Sequence, residues 1–332
     1  MTNHGNMYGP DFTFLGIERC DLEKLETYKD ADVVIVGAPI DSGTSHRSGA
    51  KFGPQAIRMG DYLPHDGERP HLALRTDGLK DMKVVDAGDL LMNGGNLEES
   101  LALLAAATEK ISRAGAIAVI LGGDHSIASA DVAGIANHRG KGKISMVHFD
   151  AHADTGTDQW GALVGHGTPM RRLIENGHVR GDRFLQLGLR GYWPDDATLN
   201  WMRDQGMRSY EMTEIHHRGL KAVLDESFAT LTDGCDGVFL SVDIDVVDPG
   251  MAPGTGTPEP GGMTSRELLE AVRRICLELP VVGIDVVEVA PPFDSADITA
   301  ILANRVVLEA LSAIALRKKG GSYSPTRNLL DR

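Results

Sequence analysis

The sequence predicts an α/β protein, with a parallel sheet buried between helices on both faces. Three observations carry this. Short apolar runs alternate with helical patterns along the whole chain. The runs are continuously apolar, as in strands covered on both sides, instead of alternating as in half-exposed strands. No linker, low-complexity tract or internal repeat breaks the 332 residues, so the body reads as one domain. Loops of differing length favour an open sheet, with a closed β/α barrel as the rival.

Residues 1–30 are mixed and polar and read as an N-terminal arm, 31–320 as the single domain and 321–332 as a C-terminal tail. Val33–Gly37 is β-branched until its glycine and reads as the first strand. The loop from Asp41 to Gly53 carries His46, Arg47 and Lys51 and ends at Pro54, suited to a helix's first turn. Lys83–Asp86 is a short second strand. Asn96 caps a helix over Leu97–Arg113 that stops at Gly115. Ile117–Leu121 runs straight into Gly122-Gly123-Asp124-His125-Ser126, with a helix to about Asn137 after it. A strand from Ile144 closes on Asp150. Thr168-Pro169, as cap and first-turn proline, opens a helix that stops before Gly177. Phe184–Leu189, Gly237–Asp243 and Val281–Val287 are further strands. Helical patterns cover Asp195–Gln205, Ile215–Leu231, the stretch after the capping box Thr264-Ser265-Arg266-Glu267, and about Ala296–Leu316.

A formal net charge of −14 argues against a nucleic-acid or anionic-membrane surface. Cys20, Cys235 and Cys276 are far apart and read as free thiols of a reducing compartment. The N-terminus has no basic segment followed by an apolar one, and no apolar run looks long enough to span a membrane. The expected localisation is cytoplasmic.

The chemistry gathers at predicted strand ends. Asp150, His152 and Asp154 are spaced by two, so in an extended segment they share one side. In an open parallel sheet, ligands bind at the carboxyl ends of strands. His125 follows a second strand, and Asp243 and Asp245 follow a third. Four carboxylates and two imidazoles at one edge are costly to desolvate unless cations neutralise them. They exceed what one ion needs but suit two ions sharing carboxylates. An oxygen-rich set suits Mn²⁺ better than Zn²⁺, with Ni²⁺, Co²⁺ or Fe²⁺ as alternatives. Paired ions activate a bridging water as hydroxide. Asp124 reads as a partner that orients a ligand, His148 as a packed or ligand-supporting group, and His216-His217 as solvated surface. The glycine-rich 254–262 loop lacks a P-loop lysine, so it does not read as nucleotide-binding.

With these motifs the sequence resembles the ureohydrolase family, which includes arginase and agmatinase, and within it the agmatinase-like branch. The resemblance extends through Ser48–Pro54, Gly165-His166-Gly167-Thr168 and Pro253–Gly262. It implies a three-layer α/β/α fold with a central parallel eight-stranded sheet. It also implies two Mn²⁺ per subunit and hydrolysis of a guanidino compound to urea and an amine. By position, one ion would take His125, Asp150, Asp154 and Asp243, and the other Asp150, His152, Asp243 and Asp245. His166 matches the family's proton-shuttling histidine, and Glu288 the glutamate that holds the guanidinium. A homotrimer or homohexamer is implied, with an assembly that includes a paralogous subunit as the alternative.

The segment between Asp154 and His166 should wall the pocket. It carries Asp158 and Trp160 but no Lys or Arg, and does not match arginase's pattern for holding an α-amino acid. This favours agmatine or another non-amino-acid guanidine. Guanidinobutyrate, with Arg47 as its carboxylate's partner, is the rival, and free guanidine or a biguanide stands behind. Two other classes remain: a subunit that keeps the fold but supports a catalytic paralogue, and a formiminoglutamase- or deacetylase-like hydrolase. Glu288 argues against the latter.

Overall fold

The computed structural model describes residues 12–61, 69–328 and 330. Its eight strands are β1 Val33–Ala38, β2 Val84–Asp89, β3 Ile117–Gly122, β4 Ile144–Phe149, β5 Val179–Leu189, β6 Arg208–Glu211, β7 Gly237–Asp243 and β8 Val281–Val287. They form one sheet in the order β2-β1-β3-β8-β7-β4-β5-β6, with every neighbouring pair parallel. The sheet is open, with β2 and β6 as its edges, so the barrel alternative falls.

Alternate side chains feed two separate cores. Val33 and Ile35 of β1 join a core on one face, and Val34 and Val36 join one on the other. The helices follow that division. α1 Gly53–Met59, α7 Met212–Arg218, α8 Leu220–Thr232, α9 Ser265–Glu278 and α10 Ile298–Lys318 contribute to the first core, beside the single turn α2 Gly78–Asp81. α3 Leu97–Arg113, α4 Ala128–Arg139 and α5 Pro169–Glu175 contribute to the second. α6 Asp196–Asp204 flanks β5 near the sheet edge. The result is the three-layer α/β/α sandwich.

The caps expected at Asn96 and Thr264 form: Asn96 accepts from Glu99 N–H, and Thr264 makes the full capping box with Glu267. Thr168 does not cap α5. Its hydroxyl donates instead to the carbonyls of Leu163 and Gly165 and accepts from Gly165 N–H, closing the loop before the helix. The helix expected over Ile215–Leu231 is two helices, broken at Gly219, whose φ is +83°. β6 had no counterpart in the pattern, because it is only four residues long and only Tyr210 among them is buried.

α10 corrects the expectation that no apolar stretch is long enough to cross a membrane. It has 21 residues and passes by length and composition, yet 78% of its apolar window is buried inside the fold, as befits a core helix. The N-terminal arm, from residue 12 on, lies on the chain's own β2. Phe14 N–H donates to Asp86 Oδ2, and Cys20 N–H and Asp86 N–H bond across to Asp86 and Glu18 carbonyls. Residues 1–11 fall outside the described residues.

Candidate active site

Four adjacent central strands, β3, β8, β7 and β4, end at the same level. Their register sets Leu121 beside Val286, Asp243 beside Val287 and Phe149 beside Val242. The last residue of β7 and the first few residues after the strands carry the functional groups. After β3 the chain turns at Gly123, where a Cβ would lie 2.4 Å from the Ala38 carbonyl oxygen, so only glycine fits. Asp124 then caps the 3₁₀ turn His125–Ile127 by accepting from Ser126 N–H. Asp243 caps the turn Ile244–Val246 in the same way, accepting from Asp245 N–H at 2.8 Å.

These turns converge. His125 Nδ1 lies 3.0 Å from Asp150 Oδ2, 3.0 Å from Asp154 Oδ2 and 3.2 Å from Asp243 Oδ2. His152 Nδ1 lies 3.1 Å from Asp245 Oδ2 and 3.4 Å from Asp150 Oδ1. Asp150 thus faces both histidines with different oxygens. Burial and neighbouring carboxylates raise the Asp154 and Asp243 pKa values. Burial also opposes ionisation of Asp150, but His125, His148 and His152 overcome it and hold Asp150 well below the usual range.

The donor set fits a divalent cation. His125 Nδ1 is buried, has no hydrogen-bond partner and is aimed at three carboxylates. Its other nitrogen, Nε2, lies 2.9 Å from Ser241 Oγ, whose proton is donated to Asp285 Oδ1. Ser241 must then accept from Nε2–H, which leaves the lone pair on Nδ1. His148 also stands beside Asp150, at 2.8 Å. Its Nδ1 accepts from Gln186 Nε2 at 3.1 Å, so its Nε2 carries a proton and donates to Asp150. It supports a carboxylate and offers no lone pair to a metal.

Glu288 follows β8. Its Oε1 accepts from His125 N–H at 2.8 Å and from His166 Nδ1 at 3.0 Å. Burial resists its charge, but His166 and the His125 N–H outweigh that and hold its pKa below the ordinary value. Its Oε2 is buried and unpartnered. Ser45 serves the other side of His166: its N–H approaches Nε2 at 3.0 Å and its Oγ at 2.5 Å. The N–H suits neutral imidazole and the hydroxyl oxygen suits imidazolium, so either protonation state finds a partner. Burial pushes the His166 pKa down, but the Glu288 carboxylate beside it prevails and lifts it to about 9.

Above this floor opens a cavity of about 410 Å³, lined by Asp154, His152, Asp243 and His166 below and by Asp158, Trp160 and Trp193 at the rim. Residues 156–167 form a wall loop with joined ends. Gly156 N–H donates to the Gly167 carbonyl at 2.9 Å, and Gln159 and Ala162 exchange backbone bonds across its tip. Asp154, Trp160 and Glu288 all have positive φ, at +51°, +53° and +63°. Such conformations cost about 1–3 kcal/mol each and gather at functional sites.

A family model described as the arginase family matches residues 31–313. The chain belongs to the arginase family. It is 37% identical to the guanidinobutyrase of Pseudomonas aeruginosa over 286 residues, 85% of this chain and 86% of that one. It is also 37% identical to the mitochondrial agmatinase of Gallus gallus over 300 residues, covering 89% and 85%. The solved structure of proclavaminate amidino hydrolase from Streptomyces clavuligerus matches with a TM-score of 0.83 at 34% identity, covering 94% of this chain and all of that one. As a member of this family, the chain is a hydrolase of amidino C–N bonds.

Within this arginase-family chain, all six metal-type residues named from sequence meet in one cluster, with His166 and Glu288 against it. Glu288 lies beneath the cavity wall, not on it. Asp158 and Trp160 reach the rim. Arg47 does not: its Nε and Nη2 donate to the Gly256 and Thr255 carbonyls, and it stacks on Phe293 at 4.4 Å. Asp124 touches no ligand side chain. It accepts from Gly43 N–H at 2.7 Å and from Ser126, so it ties the 41–49 loop to the turn that carries His125. His216 and His217 are exposed, as expected. Sequence reasoning missed Ser45, Ser241, Gln186, Trp193 and Arg190. The Arg190 guanidinium clasps the carbonyls of Asp245, Val246 and Glu259. Ser241 and Gln186 carried a usable signal, since a polar side chain inside a buried strand must find a partner.

Proposed function

We propose that this chain hydrolyses a guanidino compound with a cationic or neutral tail, agmatine being the leading candidate, to urea and an amine. The observation that carries the reading is the buried, ionised Glu288, whose Oε2 has no partner beside the His/Asp cluster. A guanidinium is a planar cation, and a carboxylate oxygen in low dielectric is its natural complement. His166 spans the floor and Ser45, and is built to deliver a proton to the departing amine nitrogen. Trp160 and Trp193 flank the mouth of the cavity, and Asp158 offers the tail a negative charge.

Two divalent ions would be held by His125, Asp150, Asp154 and Asp243, and by Asp150, His152, Asp243 and Asp245. The oxygen-rich donor set supports Mn²⁺, with Ni²⁺ or Co²⁺ as alternatives. When bound, such ions supply Lewis acidity and a water-derived nucleophile at neutral pH. Family membership also supports a homotrimer or homohexamer, which light scattering checks against the 35.6 kDa chain.

The tail assignment rests on the wall. Among the described residues no Lys or Arg lines the cavity, and Arg47 is engaged elsewhere. The experiment is kcat/KM for agmatine, guanidinobutyrate and arginine on the metal-loaded protein, in wild type and Asp158→Ala. Agmatine should lead, and Asp158→Ala should narrow its lead. A guanidinobutyrate preference that Arg47→Ala destroys would replace the cationic tail with a carboxylate one.

A further inference from the structure

Two loops meet at His166, and neither lies in a helix or strand. The wall loop over residues 156–167 carries His166 near its end. The loop over residues 41–49 carries Ser45, whose N–H and Oγ stand 3.0 Å and 2.5 Å from His166 Nε2. How the loops sit against each other therefore decides where the His166 ring stands over the cavity. Gly43 is the fixed point between them. Its N–H donates to Asp124 Oδ2, on the turn after β3, at 2.7 Å. Its carbonyl accepts from His166 N–H at 3.0 Å and from Gln159 Nε2 at 2.8 Å. On the other side of the same amide, Gln159 Oε1 accepts from Gly167 N–H at 3.1 Å. A carbonyl facing one end and an N–H facing the other fix the orientation of the amide. Gly165 makes room for it, since a Cβ there would lie 2.6 Å from Oε1. Gln159 thus lies against both chain neighbours of His166 and bonds to the loop that holds Ser45.

We propose that Gln159 is a positioning residue for His166. Its neighbours Asp158 and Trp160 reach the rim, but its own amide ties the two loops together beneath them. Without that amide, Gly167 N–H loses its acceptor and the Gly43 carbonyl keeps only the N–H of His166 itself. The wall loop can then pivot about that single bond, and the His166 ring shifts against both Ser45 and the substrate. A misplacement of about 1 Å is enough to cost about 100-fold in rate. The bonds of Gln159 go to backbone atoms of the two loops, so its loss leaves the His/Asp cluster and Glu288 in place. The effect travels only through where His166 stands.

The inference rests on the proposed guanidino hydrolysis with His166 as proton donor, and the test separates the two. Urea release from agmatine and from guanidinobutyrate is measured on the Mn²⁺-loaded full chain, with metal content and melting temperature alongside. Wild type that releases urea from neither compound overturns the reading of the site, and this inference with it. If wild type turns over, the variants are compared on the better of the two substrates. Gln159→Met keeps the length of the side chain and removes the amide. Its kcat should fall by about 10–100-fold, with KM within about threefold and metal content unchanged. Added to His166→Asn, it should cost less than about threefold more, because residues that act as a unit are not additive. An unchanged kcat in Gln159→Met, a loss carried by KM, or an equal fall in both backgrounds would overturn the proposal alone. Should Gln159→Met not fold, Gln159→Glu, which sets an acceptor against the Gly43 carbonyl, decides by the same comparison.

Discussion

The floor and the rim of the cavity are built on opposite terms. The floor is largely buried: His125 and Asp150 are 0% exposed and Asp154 is 6% exposed, with only His152 half-buried. Its groups come from four adjacent strand ends, and each is fixed by a backbone turn. The rim hangs on loops, with Trp160 81% and Trp193 41% exposed. Burial makes floor interactions strong and intolerant, because an unmatched charge in low dielectric is expensive. Exposure makes rim contacts weak and adjustable. Reaction class therefore belongs to the floor, and substrate choice to the rim.

The sharpest way to break this contrast is to change a floor carboxylate that faces both histidines. Asp150→Asn should lower kcat by on the order of 10³ or more, since it removes charge from both halves of a metal-type cluster. Asp154→Asn, facing only His125, should cost less. Metal analysis should show both sites depleted in Asp150→Asn, and a variant that kept its full metal content would contradict the assignment.

Next in size is His166→Asn, which removes the proton-transfer group. A fall in kcat of about 10²–10⁴ with metal content intact is the expected outcome. Loss of metal instead would make His166 part of the cluster.

Rim changes should be milder. Asp158→Ala and Trp160→Ala should raise KM for agmatine by about 2- to 30-fold and spare kcat, matching about 0.5–2 kcal/mol of cation contact. A collapse of kcat would erase the division between floor and rim.

The smallest effect is one of pH. Folding lifts the His166 pKa from its ordinary 6.5 to about 9, because Glu288 outweighs burial. A raised pKa contributes stability that is complete below 6.5 and lost as pH climbs through about 9. The melting-temperature gap between the metal-free wild type and His166→Asn should therefore be widest near pH 6 and close as pH rises through that window. A gap that widened with pH would show that Glu288 does not hold the imidazolium.

The same division governs what the sequence revealed. Asp150, His152 and Asp154 were legible because spacing by two on a strand end fixes a common side. The order of strands, which sets β3, β8, β7 and β4 side by side, lies in no local pattern. Trp193 enters from the loop between β5 and α6, far from Trp160 in sequence, and only the folded chain brings both to the rim. Arg47 looked free because nothing local shows that Gly256 and Thr255 would claim it. Edge strand β6 was too short and polar to stand out.

The wall loop with its joined ends has a consequence for descent. The bond from Gly156 to Gly167 closes it at the base, and Gln159 braces it there by accepting from Gly167 N–H and donating to the Gly43 carbonyl. The tip between Gln159 and Gly165, short of His166, can vary in length at little entropic cost, since loop closure grows only slowly with length. Mutations there need not be screened against the cluster's geometry. A lineage built this way can drift from one guanidino compound to another by exchanging a few loop residues, keeping the inherited chemistry intact at every intermediate step.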